Sequence, residues 1–239
     1  GTIMACAALI EPLDQLQKAL PNTQHFAVVD DVNLVSRTTS DAFKAIEHLQ
    51  QYDIFKINTT KTKILWPHST QPPADLVQGC SIRNIELVLG SAKSLGGILG
   101  VDNPQAYKQH ATQTLEKLKN THELLTHPDM PKQVAYIILK HSTKNTMQYI
   151  NSVIPPSYSQ DINKQFDQHI TNTFANIHEI NPAHLQPQPR QGNHALPSTV
   201  AFHRLFLSTK EGGLGMNRAE TSAHATYLSA TVRAATLCP

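Results

Sequence analysis

The first third of the chain alternates between helical and β-like patterns. Apolar residues over 3–20 recur at helical spacing, which predicts a first helix. Two runs rich in β-branched residues follow, at 26–29 and 32–36, and they predict a β-hairpin across Asp30 and Asp31. The pattern therefore places two adjacent carboxylates at the tip of a hairpin.

A second helix is predicted directly after this hairpin. Ser40 or Asp41 can cap its start, and Phe43, Ile46 and Leu49 would form its inner face. Strand residues then reappear on both sides of a polar turn at 58–61. These strand residues are Phe55, Ile57, Ile64 and Trp66.

The stretch up to residue 101 completes this mixed pattern. Residues 67–73 are predicted to form a loop, residues 85–89 another strand, and residues 95–100 a glycine-containing turn. Beyond Asp102 the pattern becomes helical, and the fold class predicted for the whole chain is α+β.

Prolines divide the helical part. Pro104 suits the first turn of one helix, Pro131 opens the next, and Pro155-Pro156 ends it. A stripe at i, i+4 spacing then predicts a third helix, with Ile162, Phe166, Ile170, Phe174 and Ile177 on its inner face. The remaining predictions are a loop over 181–197 and a final helix over 219–235.

Composition narrows the class of protein without naming a function. The net charge is +2, which permits contact with nucleic acid but does not require it. The 3 cysteines and 13 histidines form neither a disulfide framework nor a zinc-binding motif. The longest apolar run, over 3–10, is too short to span a bilayer. The chain therefore has the composition of a globular protein with one or two domains.

Two interpretations of Asp30 and Asp31 remain open at this point. Aspartates are common in tight turns because their side chains bond to the nearby backbone. Carboxylates are also ligands for Mg²⁺, which is held by one or two carboxylates together with phosphate oxygens. The sequence that follows the pair bears on this choice.

In order and spacing, these segments resemble the later half of the reverse transcriptase domain of non-LTR retrotransposons. Val28-Val29-Asp30-Asp31 is similar to the family's Tyr/Phe-x-Asp-Asp motif, and residues 54–62 to its Gly-Leu-x-Leu-Asn-x-x-Lys-Thr motif. Val88-Leu89-Gly90, or else residues 95–100, resembles its Leu-Gly element. Residues 133–156 resemble the family's thumb segment that ends in Pro-Pro, and Phe166-Asp167 resembles a Phe-Asp that follows it. Residues 211–215 and 225–229 resemble a Gly-Gly-Leu-Gly segment and the helix after it.

The resemblance implies an RNA-directed DNA polymerase, a nucleotidyltransferase that uses Mg²⁺. It implies a partial palm over 1–101, a helical thumb over 102–180, and a loop with a helical extension over 181–239. The implied partners are an RNA template, a DNA primer and the missing N-terminal part of the same protein, with no membrane. The implied location is intracellular, in the nucleus or the cytoplasm.

The resemblance also assigns roles to residues. Asp30 would be the direct metal ligand and Asp31 its neighbour, and Lys61 would lie near the phosphates of the incoming nucleotide. Alternatively, Lys61 is a solvated turn residue, and Asn58 is more simply explained as a turn former.

Lysines of the predicted thumb would bind nucleic acid. Lys132, Lys140 and Lys144 lie at roughly i, i+8 and i+12 on one predicted helix and could share a face that contacts the phosphate backbone. A solvated surface is the alternative interpretation of each of them.

Two departures from the family pattern leave other functions open. Val28 stands where the family has an aromatic residue, and Lys56 where it has an apolar one. The alternatives are a non-catalytic nucleic-acid-binding module and a helical interaction protein.

The first prediction concerns catalysis by the isolated chain. In the family a further metal-binding Asp lies on an earlier palm strand, which we expect to precede Gly1. Since two-metal chemistry needs carboxylates from both sources, the 239-residue chain alone should not extend a primer in a Mg²⁺-dependent assay. Clear template-directed extension would contradict this expectation.

Overall fold

The fold is described from a computed structural model. It describes residues 2–28, 31–53, 56–68, 70–100, 103–186 and 197–237, without the side chains of 2–5, 143–145, 197–199 and 237. The chain forms two compact units, residues 1–92 and 93–239. The predicted division into a partial palm over 1–101, a thumb over 102–180 and an extension over 181–239 stays a prediction.

The first unit contains three helices and four strands. In chain order these are α1 (Thr2–Ala19), β1 (Gln24–Val28), β2 (Asp31–Val35), α2 (Thr39–Gln50), β3 (Lys63–Trp66), α3 (Ala74–Ile82) and β4 (Glu86–Leu89). β1 and β2 are antiparallel, whereas β3 and β4 are parallel with α3 as their crossover. Helices and small sheets together make the fold class α+β, as predicted.

Helix α2 begins earlier than predicted. Its N-cap is Thr38, whose Oγ1 accepts a hydrogen bond from the backbone N–H of Asp41 at 3.1 Å. The prediction of a cap at Ser40 or Asp41 is therefore wrong, because the hydroxyl of Thr38 satisfies a free N–H of the first turn. Phe43, Ile46 and Leu49 are buried as predicted.

Two hydrophobic clusters hold this unit together. One joins α1 to α2, and partly buried residues of β2 pack on it, together with Ile57; its buried members are Leu9, Leu13, Leu16, Ala45 and Leu49. The other joins α2 to α3 and β4, and Ile57 packs on it as well; its buried members are Phe43, Ile46, Leu76, Cys80 and Ile85. Burial and desolvation raise the pKa of the Cys80 thiol.

Some strand and helix predictions for this unit were wrong. Ile57 lies in an irregular segment rather than a strand, while Phe55 falls outside the described residues. Helix α3 was not predicted. It is short, and Gly79 lies in its last part, where the ring of Phe43 approaches so closely that a Cβ would sit 2.2 Å from Cε2.

The second unit is a helical bundle preceded by a hairpin, whose first strand, β5 (Ser91–Ser94), begins two residues before the unit boundary. The elements that follow are β6 (Gly97–Gly100), α4 (Pro104–Leu125), α5 (Lys132–Val153), α6 (Pro156–His178), a 3-10 turn (Pro182–Leu185), α7 (Pro197–Phe206), a 3-10 turn (Thr209–Glu211) and α8 (Ala219–Leu237). A single large hydrophobic cluster runs through α4, α5, α6 and the start of α8. The three long helices confirm the prediction from proline positions, whereas α7 was not predicted.

The segment at 95–100, predicted as a turn, is a turn followed by a strand. Leu95 and Gly96 connect β5 to β6 with φ values of 49° and 79°, which is the signature of a type I′ turn. Two helices hold this turn: the Tyr149 hydroxyl donates to the Leu95 carbonyl, and His110 Nε2 donates to the Gly96 carbonyl at 2.7 Å. The hairpin is thereby fixed to α4 and α5.

Leu95 is a poor residue for this conformation, since a positive φ costs an L-residue about 1 kcal/mol. Replacing Leu95 with Asn should raise the free energy of unfolding by about 0.5–1 kcal/mol, because Asn-Gly suits a type I′ turn. Leu99 has similar exposure, 47% against 42%, but lies in β6. Leu99→Asn should lower stability, so urea unfolding that shows the same sign for both variants would contradict the prediction.

Candidate functional site

Both strands of the hairpin that carries the aspartates begin earlier than predicted. Val28 pairs with Asp31, so Asp31 is the first residue of β2 rather than a turn residue. Val29 and Asp30 lie outside the described residues. In this register Gln24 lies opposite Val35, at the other end of the pairing.

The register also decides which face of the hairpin carries Asp31. Directly opposed residues of an antiparallel pair point to the same face. Asp31 therefore shares a face with Val28, Phe26 and Val35, and all of these side chains are exposed. The other face carries Val32 and Leu34, which pack on the α1–α2 cluster. Asp31 is thus accessible to a ligand and is bordered by exposed apolar side chains.

The turn that carries Lys61 is built by Asn58. The Asn58 Oδ1 accepts from the Thr60 hydroxyl at 2.7 Å and from the Lys61 backbone N–H at 3.2 Å. Its carbonyl oxygen accepts from the Thr62 hydroxyl at 2.9 Å. The prediction that Asn58 forms the turn is confirmed, and the side chain of Lys61 is exposed.

A shared support connects the hairpin to this turn. Val32, next to Asp31, and Ile57, next to Asn58, pack on the same α1–α2 cluster. The two segments are more than twenty residues apart in sequence, yet their positions are fixed by one set of buried side chains. The segments that carry Asp31 and Lys61 are therefore supported by the same hydrophobic cluster.

The three lysines predicted to bind nucleic acid have different surroundings on α5. Lys132 Nζ lies 3.0 Å from Glu179 Oε1 in an exposed ion pair. The Lys140 side chain lies over the Tyr136 ring, 5.8 Å from its centroid, and next to Gly215. The side chain of Lys144 falls outside the described residues. An exposed ion pair contributes little to stability, so Lys132 can exchange Glu179 for another anion at small cost.

A buried polar site in the helical unit was not found from the sequence. Asp167, 5% exposed in the middle of α6, accepts hydrogen bonds from the backbone N–H groups of Ala219 and Glu220 at 2.7 and 3.0 Å. These N–H groups start α8, where a helix has donors without intrahelical partners. The carboxylate thus serves as the cap of a helix 52 residues away in sequence.

The surroundings of Asp167 shift the pKa of its carboxyl in opposite directions. Burial raises the pKa of this carboxyl to about 6, while the two backbone hydrogen bonds and Arg218 lower it. Arg218 Nε lies 3.9 Å from the carboxylate, and its Nη2 donates to Glu220 at 2.8 Å. The sequence contains one signal of this burial, because Asp167 directly follows Phe166 of the apolar stripe. Its hydrogen-bond partners, however, come from the distant start of α8.

The glycine-containing segment at 212–215 has a packing role. Gly213 lies so close to the Leu207 carbonyl that a Cβ would sit 2.2 Å from the oxygen. The Tyr136 hydroxyl donates to the Leu214 carbonyl at 2.7 Å. The segment is therefore a tight structural connection between α7 and α8, in line with the absence of a phosphate-binding Gly-Lys-Ser/Thr in its sequence.

Searches for other sites and for relatives gave negative results. Within the described ranges, no three His, Cys, Asp or Glu side chains are grouped so that they could hold a metal ion. The described helices include none with the length and apolar character needed to cross a bilayer. No family model, no curated protein and no solved structure matches the chain.

Removing the buried carboxylate tests its role as a cap. Asp167→Ala should lower the free energy of unfolding by about 2–3 kcal/mol, because two buried N–H groups lose their acceptor. Asp167→Asn keeps one acceptor oxygen and should cost less. Asp161→Ala, an exposed change on the same helix, should stay within about 0.5 kcal/mol of wild type in urea unfolding. Equal effects at positions 161 and 167 would contradict the assignment.

Proposed function

We propose that this chain is the later part of a reverse transcriptase domain of the non-LTR retrotransposon type. One observation carries the proposal beyond the sequence resemblance. The hairpin of Asp31 and the turn of Lys61 rest on the same hydrophobic cluster, with both side chains exposed. Two motifs that are separate in the sequence are thus supported by one set of buried side chains in the first unit.

The donor chemistry of this region fits Mg²⁺. The carboxylates of Asp30 and Asp31 would hold the ion, because Mg²⁺ prefers one or two carboxylates completed by water and phosphate oxygens. Bound there, Mg²⁺ supplies stabilisation of the attacking and leaving oxygens in nucleotidyl transfer. The exposed ammonium of Lys61 would offset the charge of the nucleotide's phosphates. Val28, exposed opposite Asp31, would contact the primer end where the family has an aromatic residue.

The helical unit would bind the template–primer duplex. Lys132, Lys140 and Lys144 lie on α5, and such cations bind nucleic acid through its phosphates. The exposed Lys132 can make this contact by releasing Glu179. Lys140 would do so from beside Tyr136.

Cation binding at the hairpin is the direct test. Mn²⁺ replaces Mg²⁺ at oxygen sites and broadens nearby NMR signals. Titrated into the ¹⁵N-labelled chain with an RNA–DNA duplex, Mn²⁺ should first broaden the amide signals of β1 and β2. The double variant Asp30→Asn/Asp31→Asn should lose this broadening. The matched control, Asp53→Asn/Asp75→Asn, removes two exposed carboxylates of the same unit and should keep it.

The same samples separate the alternatives. Filter binding of the duplex across salt should give a steep slope, reduced by about 2–3 when Lys132, Lys140 and Lys144 are changed to Gln. Changing Lys18, Lys44 and Lys93 to Gln should leave the slope nearly unchanged. A steep slope without hairpin broadening would favour the non-catalytic nucleic-acid-binding module. A flat slope without broadening would favour an interaction protein.

A further inference from the structure

Two histidines face each other between α4 and α6. His122 Nδ1 and His169 Nε2 are 2.8 Å apart, and the rings are nearly parallel, with an interplanar angle of 7°. The ring centroids are 4.9 Å apart. This separation is close to the nitrogen–nitrogen distance plus the two ring radii, so the nitrogens point directly at each other. The pair therefore shares one proton in an N–H···N hydrogen bond.

The surroundings of His122 decide which ring carries that proton. His122 is 1% exposed, and its Nε2 has no hydrogen-bond partner among the described residues. A buried N–H without an acceptor is more costly than a buried lone pair without a donor. His122 therefore carries its proton on Nδ1 and donates to His169, whose own proton is on Nδ1.

A second proton has no favourable place in this arrangement. On His122 Nε2 it would be a buried donor without an acceptor. A second proton on His169 Nε2 would clash with the Nδ1 proton of His122, unless the latter moved to His122 Nε2. Either placement leaves the buried Nε2–H unsatisfied, which costs a large part of a hydrogen bond.

We propose that the His122–His169 pair is an acid-sensitive contact, which stabilises the packing of α4 on α6 while the pair is neutral and destabilises it on protonation. The neighbouring charges on α4 are mixed: Lys119 disfavours a charge on His169, whereas Glu116 and Glu123 favour it. On α6, Lys164 lines the same surface groove as Lys119 and His169. Burial has a larger effect on the pKa of His169 than any of these charges.

The burial of both rings has the same consequence for their protonation. Burial, and then the charge of His169, lower the pKa of His122 to about 4, and burial also lowers the pKa of His169. A histidine with a lowered folded-state pKa stabilises the fold fully above its ordinary pKa of 6.5. That contribution is lost as the pH falls towards the folded-state value. The loss of stability is therefore expected between about pH 6.5 and 4.

Imidazole NMR on the unmodified chain tests the tautomer. At pH 7.5 the ¹⁵N signals of His122 should show the proton on Nδ1, the less common form in solution. A proton on His122 Nε2 would overturn the proposal, because the pair could then accept a proton without burying a new donor.

Unfolding at two pH values tests the loss of stability. Between pH 7.5 and 4.5, the urea unfolding constant of wild type should rise at least about 10-fold more than that of His122→Gln/His169→Gln. The control, His127→Gln/His224→Gln, removes two exposed histidines and should behave like wild type. The opposite titration of Asp167, whose raised pKa stabilises the fold as pH falls, is common to all three chains and cancels.

Equal pH dependence in wild type and the pair variant would overturn the proposal. If the pair variant does not fold, the tautomer measurement decides by itself. In that case the Nδ1 form supports the proposal and the Nε2 form refutes it.

Discussion

The helical unit depends on a carboxylate that lies inside it. Asp167 sits in the middle of α6 and receives the first N–H groups of α8. A helix start has several donors without partners, and burying them without an acceptor would cost more than most packing contacts return. Because Asp167 supplies the acceptor, α8 can begin within the hydrophobic cluster, where Ala219 is fully buried.

The approach to this cap is as constrained as the cap itself. Gly213 passes the Leu207 carbonyl at a distance that excludes any side chain, and Tyr136 bonds to the next carbonyl, that of Leu214. Arg218 then lies between Asp167, Glu220 and the Phe202 ring, 5.4 Å from its centroid. Phe166-Asp167 and residues 211–215 resemble recurrent motifs of reverse transcriptases. In this chain both segments help to position the start of α8 against α6.

The first unit has smaller hydrophobic clusters than the helical unit. Its strands pair only two by two within the described residues, and they obtain support from helices on one side. The hairpin keeps Val32 and Leu34 for that support and leaves Phe26, Val28 and Asp31 exposed. The exposed carboxylate of Asp31 therefore lies among apolar side chains and the polar residues Gln24 and Asn33 of the same face.

Periodicity and prolines in the sequence by themselves determined the α+β class, the hairpin and the long helices α4, α5 and α6. Local hydrogen bonding determined the turn at Asn58. Helices α3 and α7 were not predicted, because each is short and adjoins a proline-rich segment. Their apolar patterns therefore extend over too few residues to indicate a helix. Only the tertiary structure decided the partners of Asp167 and the pairing of His122 with His169, 47 residues apart. Such contacts depend on which helix faces meet, and no local pattern in a single chain encodes the partner of a buried polar side chain.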